Sequence, residues 1–139
     1  MDVHFKKFLV GLLTVFCTLP LAAQENPEQK EVNVDELAIK EAERLEELLK
    51  LEDWQVFYAD SILRHDYGQL HEEIKQLQLS HISQPDIYQR VQDKWMEQAD
   101  NALQKVFTAA QWKKYLKDGA GKRIREREKR KKERNERKD

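Results

Sequence analysis

The chain has one cysteine in 139 residues, Cys17, set in the first apolar stretch. There is no second thiol to pair with it, no thiolate cluster for a metal, and no cysteine beyond that stretch to act as a nucleophile. Glycine (4) and proline (3) are scarce. No Gly-rich loop could cradle a phosphate, and no serine stands in a strand–turn–helix setting. Long apolar runs are missing too. Residues 8–19 give about twelve, well short of the ~20 that a spanning helix needs. These absences argue against an enzyme and against a membrane-spanning chain.

The short apolar run has a clear context. Lys6 and Lys7 precede it, Pro20 breaks it, and Ala22 and Ala23 follow. That order is the pattern of a secretory signal peptide cleaved near Ala23. Residues 1–23 are therefore expected to be removed, taking Cys17 with them. The rest should work outside the cytosol, with residues 24–33, polar and containing Pro27, as a flexible leader.

Charge makes up 37% of the chain, and the net charge of −1 hides an asymmetry. Residues 24–121 hold 12 Lys and Arg against 20 Asp and Glu; residues 122–139 hold 11 against 5. The result is an acidic body with a basic tail. Glu, Lys, Leu, Gln and Ala dominate, and β-branched residues are few, a composition that favours helix. The expected fold is all-α: a long antiparallel helical hairpin with flanking helices and a charged C-terminal helix or tail. Residues 34–121 form the helical domain and 122–139 the basic tail.

Periodicity places the helices. Val34, Leu37, Ala38, Ala42, Leu45, Leu48 and Leu49 recur at three-to-four spacing, with Asn33 or Asp35 able to cap. Leu63, Tyr67, Leu70, Ile74 and Leu77 form a heptad-like seam on a second helix from about Asp53. Whether these two helices break near Leu51 or merge stays open. Residues 80–84 are a clear break, with Ser83 as a cap and Pro85 in the first turn of a third helix that runs to about Val106. Two long helices joined by a short loop should pack as an antiparallel hairpin. Thr108 and Gln111 have the spacing of a capping box that starts a fourth helix. Residues 122–139 carry one apolar side chain, Ile124, and are expected to be a solvated helix or disordered.

Two helix starts resemble each other. Leu51, Glu52 and Gln55 match Phe107, Thr108 and Gln111 in spacing: an apolar residue, three residues, then Gln. On these residues the chain resembles the Spy/CpxP-like family of periplasmic helical proteins, whose hallmark is a repeated L-T-x-x-Q motif. Phe107 stands where the family has Leu, and Glu52 where it has Thr. The resemblance covers roughly residues 48–116. It implies a periplasmic location and a thin, curved helical homodimer. It also implies ATP-independent chaperone activity towards non-native or envelope proteins, envelope-stress modulation, or metal sensing.

Client-binding candidates are the aromatics Trp54, Phe57, Tyr58, Trp95, Trp112 and Tyr115, which sit among dense charge. A chaperone surface needs exposed apolar patches of this kind, whereas a thin helical core would consume the same residues. Lys122, Arg123, Arg125, Arg127, Lys129, Arg130, Lys131 and Lys132 are candidate contacts for an anionic membrane or cell-wall surface, or for the acidic body of a second copy. Acidic residues interrupt that run and no aromatic does, so with export it does not point to nucleic acid. His65, His71 and His81 lack one-turn spacing, so no metal site and no cofactor is expected.

Overall fold

The computed structural model describes residues 33–137. The expected signal segment and all of the leader except Asn33 lie outside the described residues. Those described form an all-α fold with no strand among them: α1 (Val34–Leu49), α2 (Asp53–Leu79), α3 (Pro85–Val106), α4 (Ala109–Tyr115) and α5 (Gly121–Glu136). A wide π-type turn, Leu116–Ala120, links the last two.

α1 begins where the Asn33 side chain accepts from the Glu36 N–H at 3.2 Å. It ends at Lys50, whose φ of 55° is left-handed. The first two helices are therefore separate, and α1 folds back along the first half of α2. Ala38, Ala42, Leu45 and Leu49 of α1 are buried with Ala59 and Leu63 of α2. The alanines permit a close approach of the two axes.

α2 and α3 form the expected antiparallel hairpin. Glu73 accepts from Lys94 at 2.8 Å and from the Trp95 indole at 2.6 Å, while Gln98 donates to the buried Asp66 at 2.8 Å. Gln84, not Ser83, holds the cap position of α3, and it makes no side-chain cap bond. The loop is instead tied by the Tyr88 hydroxyl, which donates to the Ile82 carbonyl at 2.6 Å. The heptad-like seam is buried at Leu63 only. Leu70, Ile74 and Leu77 are half-buried, because no other helix among the described residues packs closely on this end of the hairpin.

Two glycines stand at the kink between α4 and α5. Gly119 adopts φ 115°, a conformation L side chains rarely take, and a Cβ on Gly121 would lie 2.9 Å from the Leu116 carbonyl oxygen. α5 then runs back along α3. The charged segment, expected to be a solvated helix or disordered, is a helix, and one face of it is docked. Arg127 pairs with Asp100 at 2.5 Å, and side-chain exposure is only 6% and 10%. Arg130 and Arg134 reach Asp93 at 2.6 and 3.2 Å, and Lys131 reaches Glu97 at 3.0 Å. The basic partners stand at i, i+3, i+4 and i+7 on α5; the acidic ones stand at i, i+4 and i+7 on α3. Each set lies on one helix face. Docking here comes from charge, which apolar periodicity does not detect.

Burial alone would raise the Asp93 carboxyl, but hydrogen bonds from Arg130 and Arg134 outweigh it and hold the pKa below the usual value. A carboxyl lowered in the folded state adds stability above its unfolded pKa, about 3.9 for Asp. That stability is lost as pH falls through the lowered value. Hydrogen-exchange protection of the α5 amides should accordingly fall at acid pH before that of α1 and α2. Asp100→Ala should remove the same protection at neutral pH and cost about 3–5 kcal/mol in urea unfolding, since it strands a buried Arg127.

Candidate functional site

The two similar helix starts meet in space. Gln55 Nε2 donates to Gln111 Oε1 at 2.8 Å, and Gln111 Nε2 donates back to Gln55 Oε1 at 3.0 Å. Each amide also serves the backbone. The Gln55 oxygen accepts from the Glu52 N–H at 3.0 Å, and its nitrogen donates to the Val106 carbonyl at 3.0 Å. The Gln111 oxygen accepts from the Thr108 N–H at 2.8 Å, and its nitrogen donates to the Leu49 carbonyl at 3.5 Å. These backbone donors and acceptors fix which amide atom is nitrogen and which is oxygen. Both side chains use all their hydrogen-bonding capacity, which lets Gln55 be 99% buried without leaving a polar group unpaired.

The apolar motif residues, Leu51 and Phe107, are buried on either side of this pair. Thr108 caps α4 through its hydroxyl, which accepts from the Gln111 N–H at 3.3 Å. Glu52 forms the matching capping box with Gln55 at the start of α2, and its carboxylate also accepts from the Trp54 indole at 2.6 Å. One consequence is that Trp54 is held on the surface beside a charge.

Gln55, Ala59 and Leu63 mark the buried face of α2, and Trp54, Phe57 and Tyr58 lie outside it. Their exposures are 52%, 68% and 52%. They pack edge-to-face, Trp54 on Tyr58 at 6.3 Å and Phe57 on Tyr58 at 5.6 Å. The other three candidate aromatics lie elsewhere. Tyr115 is in the core, where its hydroxyl donates to Asp100 at 2.7 Å, so it presents no surface to a client. Trp112 packs at 5.3 Å on Tyr115, and Trp95 is half-buried between α2 and α3 under Lys94.

The basic candidates also divide. Arg127 is inside the fold, and Arg130 and Lys131 are engaged on α3. Lys122, Arg125, Lys129 and Lys132 lie together on the outward face of α5. Arg134, Asp93, Glu97 and Asp100 were not among the candidates. Their signal was a helical spacing of charges, present on both α3 and α5.

Among the described residues no three His, Cys, Asp or Glu side chains converge on a metal position. His65 bonds its neighbour Asp66 at 2.8 Å, although adjacent helix residues do not ordinarily face each other. None of the helices among the described residues is long and apolar enough to cross a membrane. Comparison with family models, with curated proteins and with solved structures gives no match for this chain.

Proposed function

We propose that this chain is an exported, periplasmic helical protein that holds non-native proteins weakly, in the manner of the Spy/CpxP-like chaperones it resembles. The observation that carries this reading is the solvent-facing cluster of Trp54, Phe57 and Tyr58. Three large aromatics together on a charged surface form the kind of apolar patch that marks an interaction site. Acidic groups surround them: Glu52 and Asp53 adjoin Trp54, and Asp60 follows Tyr58. Apolar contact ringed by charge favours brief, sequence-tolerant binding of unfolded segments. The Gln55–Gln111 contact adds support, because it gives the paired motif a structural purpose beyond two separate caps. The expected segment of residues 1–23 supplies the address.

The mature chain should suppress aggregation of an unfolding client at several-fold excess. A Trp54→Ser, Phe57→Ser, Tyr58→Ser variant should lose most of that suppression while its thermal unfolding midpoint changes little, since these side chains are outside the core. Equal suppression by the variant would remove the patch from the account, and no suppression by the parent chain would remove the chaperone reading.

A second reading has its own observation. Lys122, Lys129 and Lys132 each keep more than three-quarters of their side chain exposed, although Glu126, Glu133 and Glu136 lie within 3.9 Å. With Arg125 they form a basic stripe on the side of α5 turned away from α3. Such a stripe suits an adaptor resting on an anionic envelope surface. Substitution of these four residues by Gln tests it better than truncation, which would also remove Arg127. The parent should sediment with anionic phosphatidylglycerol vesicles at low salt and the variant should not; equal sedimentation would dismiss the stripe.

A further inference from the structure

The exposed aromatic cluster on α2 has an acidic setting. Residues 34–60, which are α1 and the start of α2, hold nine Asp and Glu against three Lys and Arg. Phe57 stands one helical turn from Asp53 and from Asp60, and the Trp54 indole donates to Glu52 at 2.6 Å. Asp60 is matched, since it accepts from Arg64 at 2.8 Å. Glu52 and Asp53 are not: both are exposed, and neither forms an ion pair among the described residues.

The C-terminal half of α1 adds to this charge. Glu43, Glu46 and Glu47 are exposed and form no ion pair among the described residues. They line an open cleft with Lys50, its single base, and with Leu51, the residue before Glu52. No basic residue stands in the last turn of α1. Carboxylates near a helix C-terminus oppose the helix dipole, and Glu43 and Glu47, four apart, repel each other. The rings lack a cation as well. Trp95 has Lys94 Nζ at 4.6 Å from its ring centroid, but among the described residues no Lys or Arg covers Trp54, Phe57 or Tyr58.

We infer that this surface selects cationic apolar segments: client stretches in which Leu or Phe side chains are flanked by Lys or Arg. The inference rests on the reading of Trp54, Phe57 and Tyr58 as the client surface, and it names the class of client. Apolar side chains lie on the three rings, while the flanking cations meet Glu52 and Asp53 or stack on a ring face. The carboxylates of α1 extend the field, drawing such segments in and turning acidic ones away. Binding is then tolerant of sequence but not of charge. An uncharged apolar segment would cover the rings and leave the repulsion in place, and an anionic one would add to it.

Three unstructured, dye-labelled peptides are the probes, and fluorescence anisotropy with the full chain is the measurement. They share one apolar centre of Leu and Phe and differ in flanks of Lys, Gln or Glu. At low salt the order of affinity should be Lys, then Gln, then Glu. The Lys-flanked peptide should bind about tenfold tighter than the Gln-flanked one, a difference of about 1.4 kcal/mol that two exposed ion pairs and one cation–π contact can supply. At about 0.5 M salt, where screening shortens the reach of charge, that ratio should fall to about twofold or less. Glu52→Gln with Asp53→Asn should lower the ratio at low salt, and so should Glu43→Gln, Glu46→Gln and Glu47→Gln made together. Taking the Lys-to-Gln ratio within each variant, beside helicity by circular dichroism, separates lost charge from lost fold. Equal affinity for the three peptides, tightest binding of the Glu-flanked one, or a ratio unmoved in both variants would overturn the charge preference and leave the client surface standing. If no peptide binds, or if the Trp54→Ser, Phe57→Ser, Tyr58→Ser variant binds them as well as the parent, the client surface falls and this inference with it.

Discussion

The reciprocal amide pair of Gln55 and Gln111 is the contact on which the arrangement of the helices depends. It joins the corner between α1 and α2 to the corner between α3 and α4, which are 56 residues apart in sequence. Each glutamine answers backbone groups of its own corner and of the other. Neither corner can move without leaving a buried amide or carbonyl unpaired, a cost of roughly 1–3 kcal/mol for each group. The pair also sets the rotation of α2. At about 100° per residue Phe57 lies roughly opposite Gln55, Trp54 to the flank and Tyr58 only about 60° away, and it is the whole buried face of Gln55, Ala59 and Leu63 that leaves the three in solvent. The proposed client surface is thus what the buried stripe of Gln55, Ala59 and Leu63 leaves outside.

Around this pair the protein builds a body from few apolar residues. The core is mainly Leu and Ala from α1 and α2, closed by Leu103, Phe107 and Tyr115. It is too small to hold α5 as well, and α5 has almost nothing apolar to offer. Ion pairs hold that helix instead, and the deepest of them, Arg127 with Asp100, is also tied to the core through the Tyr115 hydroxyl. Long side chains set the spacing. The same helix therefore has one face docked on α3 and a basic stripe towards solvent.

Much of the fold was legible from residue patterns. Leu45 and Leu49, then Leu63, Val91, Ala99 and Leu103, mark real buried faces, and Asn33 and Thr108 are real caps. The break at Lys50 was less clear, because a left-handed lysine carries no compositional signal of the kind glycine does. Ser83 looked like a cap, but tertiary hydrogen bonding by Tyr88 closes the loop without it. For the aromatics, the seam carried the answer: counted back from Leu63 at about 100° per residue, Trp54, Phe57 and Tyr58 fall about 120–180° away from it. What no local pattern contains is the contact between the two motifs through Gln55 and Gln111. The basic tail is helical, one of the two states its composition allows, but its docking is harder to see. Its docking face repeats with helical spacing in charge, and a search for apolar repeats passes over it.

A double-mutant cycle on Gln55→Ala and Gln111→Ala, followed by urea unfolding, tests the central contact most directly. If the two amides act as one unit, each single change should cost most of what the pair contributes, and the double variant should be little worse than either. The coupling should then be at least about 1 kcal/mol. Costs that simply add, to within about 0.5 kcal/mol, would mean two independent helix caps and would contradict the account.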